Sequence, residues 1–290
     1  MSIISFVILH YGNVQVTKTC IDSILQLNTN DTIQIVIVDN DVNKTKEERQ
    51  VLKEMFAAAP QVDVLQIEEK SGFSRANNRG YQYTKGKHNP DFIVMANNDI
   101  VFEQKGFIDD IKRSYEESKY AILSPDIVSC ATGLHQSPIA LTGRTKGEVN
   151  YTIAMNWMCL KTFPMVYPLI KGKFRNENVG NAEVPSYQED VVPCGACIIF
   201  SRNFIDCEEY ALYPETEFYY EEYILHHRCQ RANYKIVLDP ALQVMHGDGV
   251  ATKKSTGDEK RKAKFIMENT LRSVKIYKDL LNSEKKTRRQ

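Results

Sequence analysis

Asp99, the pair Glu221 and Glu222, and His246 are side chains of this sequence that could bind a cation and move a proton. Asp99 follows the apolar run FIVM in the stretch FIVMANND, and His246 ends a second apolar run. Carboxylate oxygens with one imidazole suit Mg²⁺ or Mn²⁺ better than zinc, and one or two protein ligands suffice where substrate phosphates complete the shell. A partly buried carboxyl gains a raised pKa, which favours the role of a general base.

Each of these residues also has an ordinary structural explanation. Asn97, Asn98 and Asp99 could simply close a turn, because Asn and Asp bond their own backbone well. A pair of glutamates on a helix is more often a solvated face, and a lone histidine is more often a structural residue. The aromatic neighbours of the glutamates, in EFYYEEYILHHR, favour partial burial of the pair. The surrounding elements must decide between these explanations.

The first half of the chain alternates strand and helix patterns, which predicts an α/β fold with a mostly parallel sheet covered by helices on both faces. Continuous apolar runs predict buried strands at 3–10, 33–38, 62–67, 92–95 and 120–123. Apolar residues at helical spacing lie between them, at 14–27, 46–59, 74–84 and 104–118. Regular patterns return with a strand at 197–200, a helix at 218–231, strands at 234–238 and 243–245, and a C-terminal helix.

Three of the predicted strands end in polar groups, which are His10-Tyr11, Asp39-Asn40 and Asn97-Asn98-Asp99. The carboxyl ends of parallel strands lie at one edge of a sheet, and ligands of such sheets bind there. We therefore expect these groups to form one site. Several polar strand ends on one edge weigh against the explanation of Asp99 as a turn alone.

The composition and the missing motifs exclude several classes of protein. Lys and Arg number 37, as do Asp and Glu, so the chain has no overall basic character of the kind that binds nucleic acid. Glycine-rich dinucleotide and P-loop motifs and the nucleophile elbow are absent. The seven cysteines include Cys194 and Cys197 without a second pair, which indicates packing roles in a reducing compartment. With no signal pattern and no apolar run of about 18 residues, a cytoplasmic protein is expected.

Residues 251–290 are strongly basic, with thirteen Lys and Arg against five Asp and Glu. Such a segment predicts peripheral contact with an anionic membrane face, although the same residues could simply solvate a C-terminal helix. The apolar stripe of that helix is predicted at Phe265, Leu271, Val274 and Leu280.

The middle of the chain, at about 130–193, is irregular and contains the single tryptophan, Trp157. Packing in a core is favoured for it over a lid or a surface that meets a lipid acceptor. The predicted division is a nucleotide-binding half at 1–128, an acceptor-binding and catalytic half at 129–250, and a basic helix and tail at 251–290.

A series of motifs between residues 3 and 277 resembles family 2 glycosyltransferases of the GT-A fold, especially bacterial enzymes that build polysaccharides, rhamnosyltransferases among them. In order, the motifs are VILHYGN, IVIVDN, EKSGFSRANNRG, MANNDIVF, PCGACIIFSRNFI, EFYYEEYILHHRCQRANYKIVLDPALQVMH and ENTLRSVKIY. The resemblance implies a Rossmann-like nucleotide-binding sheet with a small extension on the acceptor side.

The resemblance also implies an activity. A hexosyl or rhamnosyl group would pass with inversion from a UDP- or dTDP-sugar to a hydroxyl of a glycan or polyprenyl-linked oligosaccharide, in bacterial surface polysaccharide synthesis. Glu222 would be the general base, with Glu221 as the other candidate, and Gly195 would lie on the acceptor side. Asp99 and His246 would hold the divalent cation. The residues implied to contact the nucleotide sugar are Tyr11, Asp39, Arg75, Asn78, Asn97 and Asn98.

Two alternatives to an active transferase stay open. Asn97 and Asn98 stand where the family commonly has acids, and Ile224 stands where many relatives have a second acid, which motivates a catalytically weak module that binds nucleotide sugars. A nucleotidyltransferase shares a similar sheet and metal, but the Glu221-Glu222 helix and the late His246 count against it.

Overall fold

The computed structural model describes residues 1–69, 71–175, 180–247 and 259–287. A nine-stranded sheet is formed by β1 Ile3–His10, β2 Thr32–Asp39, β3 Val62–Gln66, β4 Phe92–Asn97, β5 Ile100–Val101, β6 Ile122–Ser129, β7 Gln188–Glu189, β8 Cys197–Ser201 and β9 Ile236–His246. The helices of the described ranges are α1 Val14–Leu25, α2 Lys46–Met55, α3 Phe73–His88, α4 Phe107–Ser118, α5 Lys146–Lys161, α6 Phe163–Arg175, α7 Arg202–Ile205, α8 Glu221–Ala232 and α9 Glu259–Thr287.

The strands of the sheet follow the order β3-β2-β1-β4-β8-β6-β9-β5, and β7 pairs with β9. Strands β1 to β4 pair in parallel, whereas β8 lies antiparallel to both β4 and β6. Apolar clusters cover the sheet on both sides. The predicted α/β fold is therefore confirmed, and the antiparallel β8 is the point where the parallel N-terminal part meets the rest.

Helix α3 lies directly on the sheet because glycine occurs at the point of contact. A Cβ on Gly80 would lie 2.4 Å from Cγ1 of Val7 and 2.6 Å from Cγ2 of Val38, so any side chain there would push α3 off β1 and β2. The same helix begins at Phe73, two residues after Ser71, whose carbonyl accepts a hydrogen bond from Nδ2 of Asn40 just after β2. Close packing of α3 therefore fixes the distance between its N-terminus and the end of β2.

The middle of the chain is helical, which corrects its interpretation as irregular. Helix α5 begins with a capping box in which Thr145 and Glu148 exchange hydrogen bonds. Val149 is its buried residue, and its apolar residues are not confined to one stripe, so the sequence shows little helical periodicity there. Core packing of this region is also wrong for Trp157, whose side chain is 50% exposed.

Two other features of the C-terminal half differ from the prediction. The two strands predicted after α8 form one strand, β9, whose pairing with β6 shifts register between Pro125 and Asp126. In α9 Val274 is buried as predicted, but Phe265 is 43% exposed. The buried apolar residues in the described part of α9 are Ala263, Met267, Val274, Tyr277 and Leu281.

Residues 251–258 and 288–290 of the predicted basic segment lie outside the described residues. Among the helices of the described ranges, none is both long enough and apolar enough to cross a bilayer. Cys194 and Cys197 are free thiols that pack beside and within the core, in agreement with packing roles. Burial raises the pKa of the Cys194 thiol to about 12, which keeps it protonated.

Candidate active site

The polar ends of β1, β2 and β4 lie at one edge of the sheet, as the sequence predicts. His10 is opposite Asp39 in the pairing of β1 with β2, and Leu9 is opposite Asn97 in the pairing of β1 with β4. Neighbouring strands are about 4.8 Å apart, so these strand ends are adjacent. The carboxyl edge of the parallel strands therefore collects the amides and carboxylates at the ends of the three strands.

Asp99 and His246 are brought together by a short strand that the sequence did not predict. Strand β5 follows Asp99 at once and pairs antiparallel with β9, so that Ile100 lies opposite His246. Nε2 of His246 is 3.4 Å from Oδ1 of Asp99. Asp99 is buried, with 8% of its surface exposed. The turn explanation and the site explanation are thus compatible, because the turn carries the carboxylate to the imidazole.

Gln136 fixes the ring of His246, and sequence reasoning missed it. Its Oε1 accepts a hydrogen bond from Nδ1 of His246 at 2.7 Å. An amide oxygen can only accept, so the proton of a neutral His246 ring is on Nδ1 and Nε2 presents a lone pair on the side of Asp99. The loop that carries Gln136 is anchored by His135, whose Nδ1 is 2.9 Å from both carboxylate oxygens of the buried Asp126.

Asp99 and His246 are a suitable pair of ligands for a divalent cation. A carboxylate and a neutral imidazole are both donors that Mn²⁺ accepts. Within the residues that the structure describes, no group of three or more His, Cys, Asp or Glu side chains is placed to hold a metal ion. A cation at this pair would therefore depend on oxygen atoms of a substrate to complete its coordination.

The two glutamates open helix α8 and face a cleft of about 430 Å³. The turn before them is strained, because Tyr219 and Tyr220 both adopt a φ of 68°. Such left-handed backbone is costly for residues with a side chain and often accompanies functional sites. The lining of the cleft comes from five parts of the chain, namely Phe73, Asn97, Gly195 with Ala196, residues 218–223 and Thr270.

Glu222 packs against the backbone of Gly195. The N–H of Gly195 donates a hydrogen bond to the Glu222 carboxylate. A Cβ on Gly195 would lie 2.4 Å from Oε1 of Glu222, far inside contact distance. Glycine at this position therefore lets the carboxylate approach the backbone and holds it in place.

Burial separates the roles of the two carboxyl groups. Desolvation, followed by repulsion from Glu222, raises the pKa of Glu221 to about 8, and the residue is 4% exposed. Desolvation also raises the pKa of Glu222, but hydrogen bonds from its own N–H and that of Gly195 oppose the shift. Glu222 is only half-buried. Near neutral pH Glu221 thus retains a proton, and the hydrogen bonds to Glu222 favour its ionised form against the effect of burial.

Titration of Glu221 should appear in the pH dependence of stability. The folded chain holds this proton up to about pH 8, whereas the ordinary pKa is 4.5. The contribution of Glu221 to the free energy of unfolding is therefore full below pH 4.5 and is lost as the pH rises towards 8. We expect calorimetry to show the melting temperature of the wild type falling relative to that of Glu221→Gln over this range. Parallel curves for the two proteins would contradict the raised pKa.

Asn97 joins the Glu222 cleft to the Asp99 pair. The backbone N–H of Asn97 donates a hydrogen bond at 2.9 Å to the carbonyl of Ala196, which is next to Gly195. Asn97 also lines the cleft. Asp99 follows two residues later along the chain. Pairing of β4 with β8 thus connects the proposed base and the carboxylate–imidazole pair at one end of the sheet.

Asp39 lies at a second, smaller cavity of about 180 Å³, lined also by His10, Gly12 and Asp41. Its carboxylate accepts hydrogen bonds from Nε of Arg49 at 2.8 Å and from the N–H of Asp41 at 3.1 Å. These two donors hold the carboxylate still at the end of β2. The predicted contact of Asp39 with a nucleoside stays a prediction.

Asn98 and Tyr11 connect the ends of β4 and β1. Nδ2 of Asn98 donates to Oγ1 of Thr17 at 2.8 Å and to the carbonyl of Tyr11 at 3.4 Å. Oγ1 of Thr17 is also 2.6 Å from Nδ1 of His10. The structure therefore places Asn98 and Tyr11 at the predicted edge and gives the Asn98 amide partners within the protein.

Arg75 and Asn78 tie α3 to the segment that leads into α8. Nε of Arg75 donates to the carbonyl of Pro214 at 3.0 Å. The Asn78 amide donates to the carbonyl of Leu212 at 2.6 Å and accepts from its N–H at 2.9 Å. These bonds support the strained turn before Glu221. Contact of Arg75 and Asn78 with a nucleotide sugar stays a prediction.

Residues 5–169, more than half of the chain, match the family described as Glycosyl transferase family 2. The chain belongs to glycosyltransferase family 2. This membership confirms the family that the motifs resemble. No curated protein matches this glycosyltransferase.

The fold of the glycosyltransferase is similar to that in the crystal structure of S. aureus TarS 1-349. The TM-score is 0.53 at 12% sequence identity, and the match covers 85% of this chain. The chain spans 60% of the length of that TarS chain. At such low identity the likeness shows the fold alone, and it confirms the predicted sheet with its helices.

Proposed function

We propose that this glycosyltransferase moves a hexosyl or rhamnosyl group, with inversion, from a UDP- or dTDP-sugar to a hydroxyl of a glycan or lipid-linked oligosaccharide. The process would be the synthesis of a bacterial surface polysaccharide. The observation that carries the proposal is the Glu222 carboxylate, held in a cleft by Gly195 and connected through Asn97 to the Asp99–His246 pair.

The chemistry requires one proton transfer from the acceptor. The Glu222 carboxylate removes the proton of an acceptor hydroxyl, whose oxygen forms the new bond to the anomeric carbon. The bond between that carbon and the donor diphosphate breaks, and its electron pair leaves with the diphosphate. Attack from the side opposite the leaving group inverts the anomeric configuration, through an oxocarbenium-like transition state of the kind known from glycoside hydrolysis.

Asp99 and His246 would hold Mg²⁺ or Mn²⁺, and a bound cation would offset the negative charge that develops on the diphosphate. Two features position these ligands. Gln136 fixes the tautomer of His246, and the turn between β4 and β5 holds Asp99. Two protein ligands are few, so we expect metal affinity to be low until the nucleotide is present.

Replacing Gln136 with methionine should weaken metal binding and leave the fold intact. Without the acceptor on Nδ1, the His246 ring is free to turn and to change tautomer. Loss of such an outer hydrogen bond costs about 10–100-fold in metal affinity or activity. Titration of Mn²⁺ in the presence of the nucleotide measures the effect. Gln136→Glu keeps an acceptor and should restore affinity, whereas equal affinity in Gln136→Met would remove Gln136 from this role.

The proposed function is tested by a screen of nucleotide sugars followed by a transfer assay. A donor that binds the folded chain raises its melting temperature, so UDP- and dTDP-sugars with Mn²⁺ can be ranked by thermal shift. The best donor is then incubated with glycan and lipid-linked acceptors, and NMR of the product reports the anomer. Donor binding without transfer to any acceptor would favour a binding module, and retention of configuration would contradict the proposed mechanism.

A further inference from the structure

Helices α5 and α6 expose an apolar surface to solvent. We define the α5–α6 surface as Tyr151, Trp157, Met158, Met165 and Leu169, which are 67%, 50%, 50%, 81% and 85% exposed. Single exposed apolar residues are common on soluble proteins, but a group of large ones on adjacent helices marks an interaction site. This group lies outside the cleft and outside the cavity at Asp39.

The exposed side of α6 is apolar without interruption. Between Phe163 and Ile170 the sequence is FPMVYPLI, which has no charge, and its exposed residues are Pro164, Met165, Pro168 and Leu169. The opposite side is also apolar, because Phe163 packs against Ala263 and Met267 of α9. A helix in water normally turns polar side chains outward, so α6 has the character of a helix that meets a second apolar phase.

A positive charge lies beside the α5–α6 surface, and a basic sequence follows it. Nζ of Lys161 lies 4.0 Å from the ring centre of Trp157, at the end of α5. Beyond Ile170 the sequence of α6 continues as KGKFR, with three cationic residues and no acid. Tryptophan and lysine beside an apolar helix, followed by a basic segment, match the composition of helices that lie in a membrane interface.

We propose that the α5–α6 surface docks onto a lipid bilayer with anionic headgroups. Met165, Leu169 and Trp157 enter the boundary between headgroups and acyl chains, and the positive charge of Lys161 and of the KGKFR sequence attracts the anionic phosphates. The adjoining charge is cationic, which favours an anionic bilayer over a neutral protein surface as the occupant.

Docking of the α5–α6 surface onto a bilayer also has a consequence for where the acceptor is located. This consequence rests on the proposed function. Helix α9 packs against α6 and contributes Thr270 to the lining of the cleft. The Phe265 ring on α9 lies 5.3 Å from that of Phe218, another residue of the cleft. One helix thus connects the docking surface with the site of glycosyl transfer, which favours an acceptor anchored in the same bilayer.

Vesicle sedimentation tests the docking surface. We expect the wild type to sediment with phosphatidylcholine vesicles that contain phosphatidylglycerol, and to bind less to phosphatidylcholine alone or in high salt. The double variant Met165→Ser/Leu169→Ser should bind about tenfold or more weakly, because two apolar side chains no longer leave water. The matched control is Leu25→Ser/Met55→Ser, which changes exposed apolar residues on α1 and α2 and should bind as the wild type does.

Three results would overturn the proposal. The first is that the wild type does not sediment with the vesicles. The second is that both double variants bind the vesicles equally well. The third is that the wild type binds no vesicles but forms a dimer, which Met165→Ser/Leu169→Ser converts to a monomer. The last result would assign the surface to a second copy of the chain. Thermal shift with the nucleotide sugar should be the same in the wild type and in both double variants, so a failure of docking is distinguishable from a failure of the proposed function.

Discussion

Glu222→Gln is expected to lower the turnover number by about 10²–10⁴-fold, the usual contribution of a general base. The amide keeps the shape of the side chain but cannot take a proton from the acceptor hydroxyl. Binding of the donor should be unchanged, because the base acts on the acceptor. Initial rates at saturating donor and acceptor measure the loss, and thermal shift with the nucleotide sugar shows that the donor still binds.

The neighbouring glutamate supplies the matched control for this experiment. Burial keeps a proton on Glu221, whose pKa is raised to about 8, so glutamine copies the form that is present near neutral pH. Glu221→Gln should therefore retain most of the activity. If Glu221→Gln abolished transfer while Glu222→Gln retained it, the roles of the two residues would be reversed. Near-normal transfer by both variants would mean that another group accepts the proton of the acceptor hydroxyl.

The chemistry of the strand ends could be predicted from the sequence because it depends on local patterns. A buried parallel strand is a continuous apolar run, so the residue type that ends the run is visible without a structure. Asp39, Asn97 and Asp99 were found in this way, and the pairing of β1 with β2 and β4 places their strand ends together. His246 and Glu222 came from residue type and family resemblance.

The supporting contacts could not be predicted because they join distant parts of the chain. Gln136 is 110 residues from His246 and lies in a loop without a motif. The Asn78 amide bonds the backbone of Leu212, 134 residues away, although the family motif marks Asn78 for a nucleotide sugar. Helix α5 was missed because residues that are apolar on both sides of a helix lose the period that identifies it. Helix α6 contains Pro168, and a proline within a sequence normally argues against a helix there.

Gly195→Ala should lower the turnover number by about 10²-fold with little effect on donor binding. The added methyl would lie 2.4 Å from Oε1 and 3.2 Å from Cδ of Glu222, so the carboxylate has to move. Oε1 is the end of a flexible side chain, so rotation relieves the contact at small cost in stability. The displaced carboxylate loses the N–H of Gly195 and its position towards the acceptor. Activity should therefore fall far more than the melting temperature.

Gly86→Ala is the matched control, because a Cβ at Gly86 meets nothing within 4 Å and the residue lies in helix α3. It should keep full activity. Its free energy of unfolding should rise by about 1 kcal/mol at most, because alanine has a higher helix propensity than glycine. A Gly195→Ala protein as active as Gly86→Ala would show that the contact with Glu222 has no part in the reaction.

Combining the two active-site substitutions separates a positioning role from a general disturbance. If Gly195 acts by holding the base, Gly195→Ala should cost little in a protein that already carries Glu222→Gln, because no base remains to be displaced. Residues that act as one unit have non-additive effects of this kind. Independent losses that multiply in the double variant would mean that Gly195 contributes through the backbone shape of the cleft rather than through Glu222.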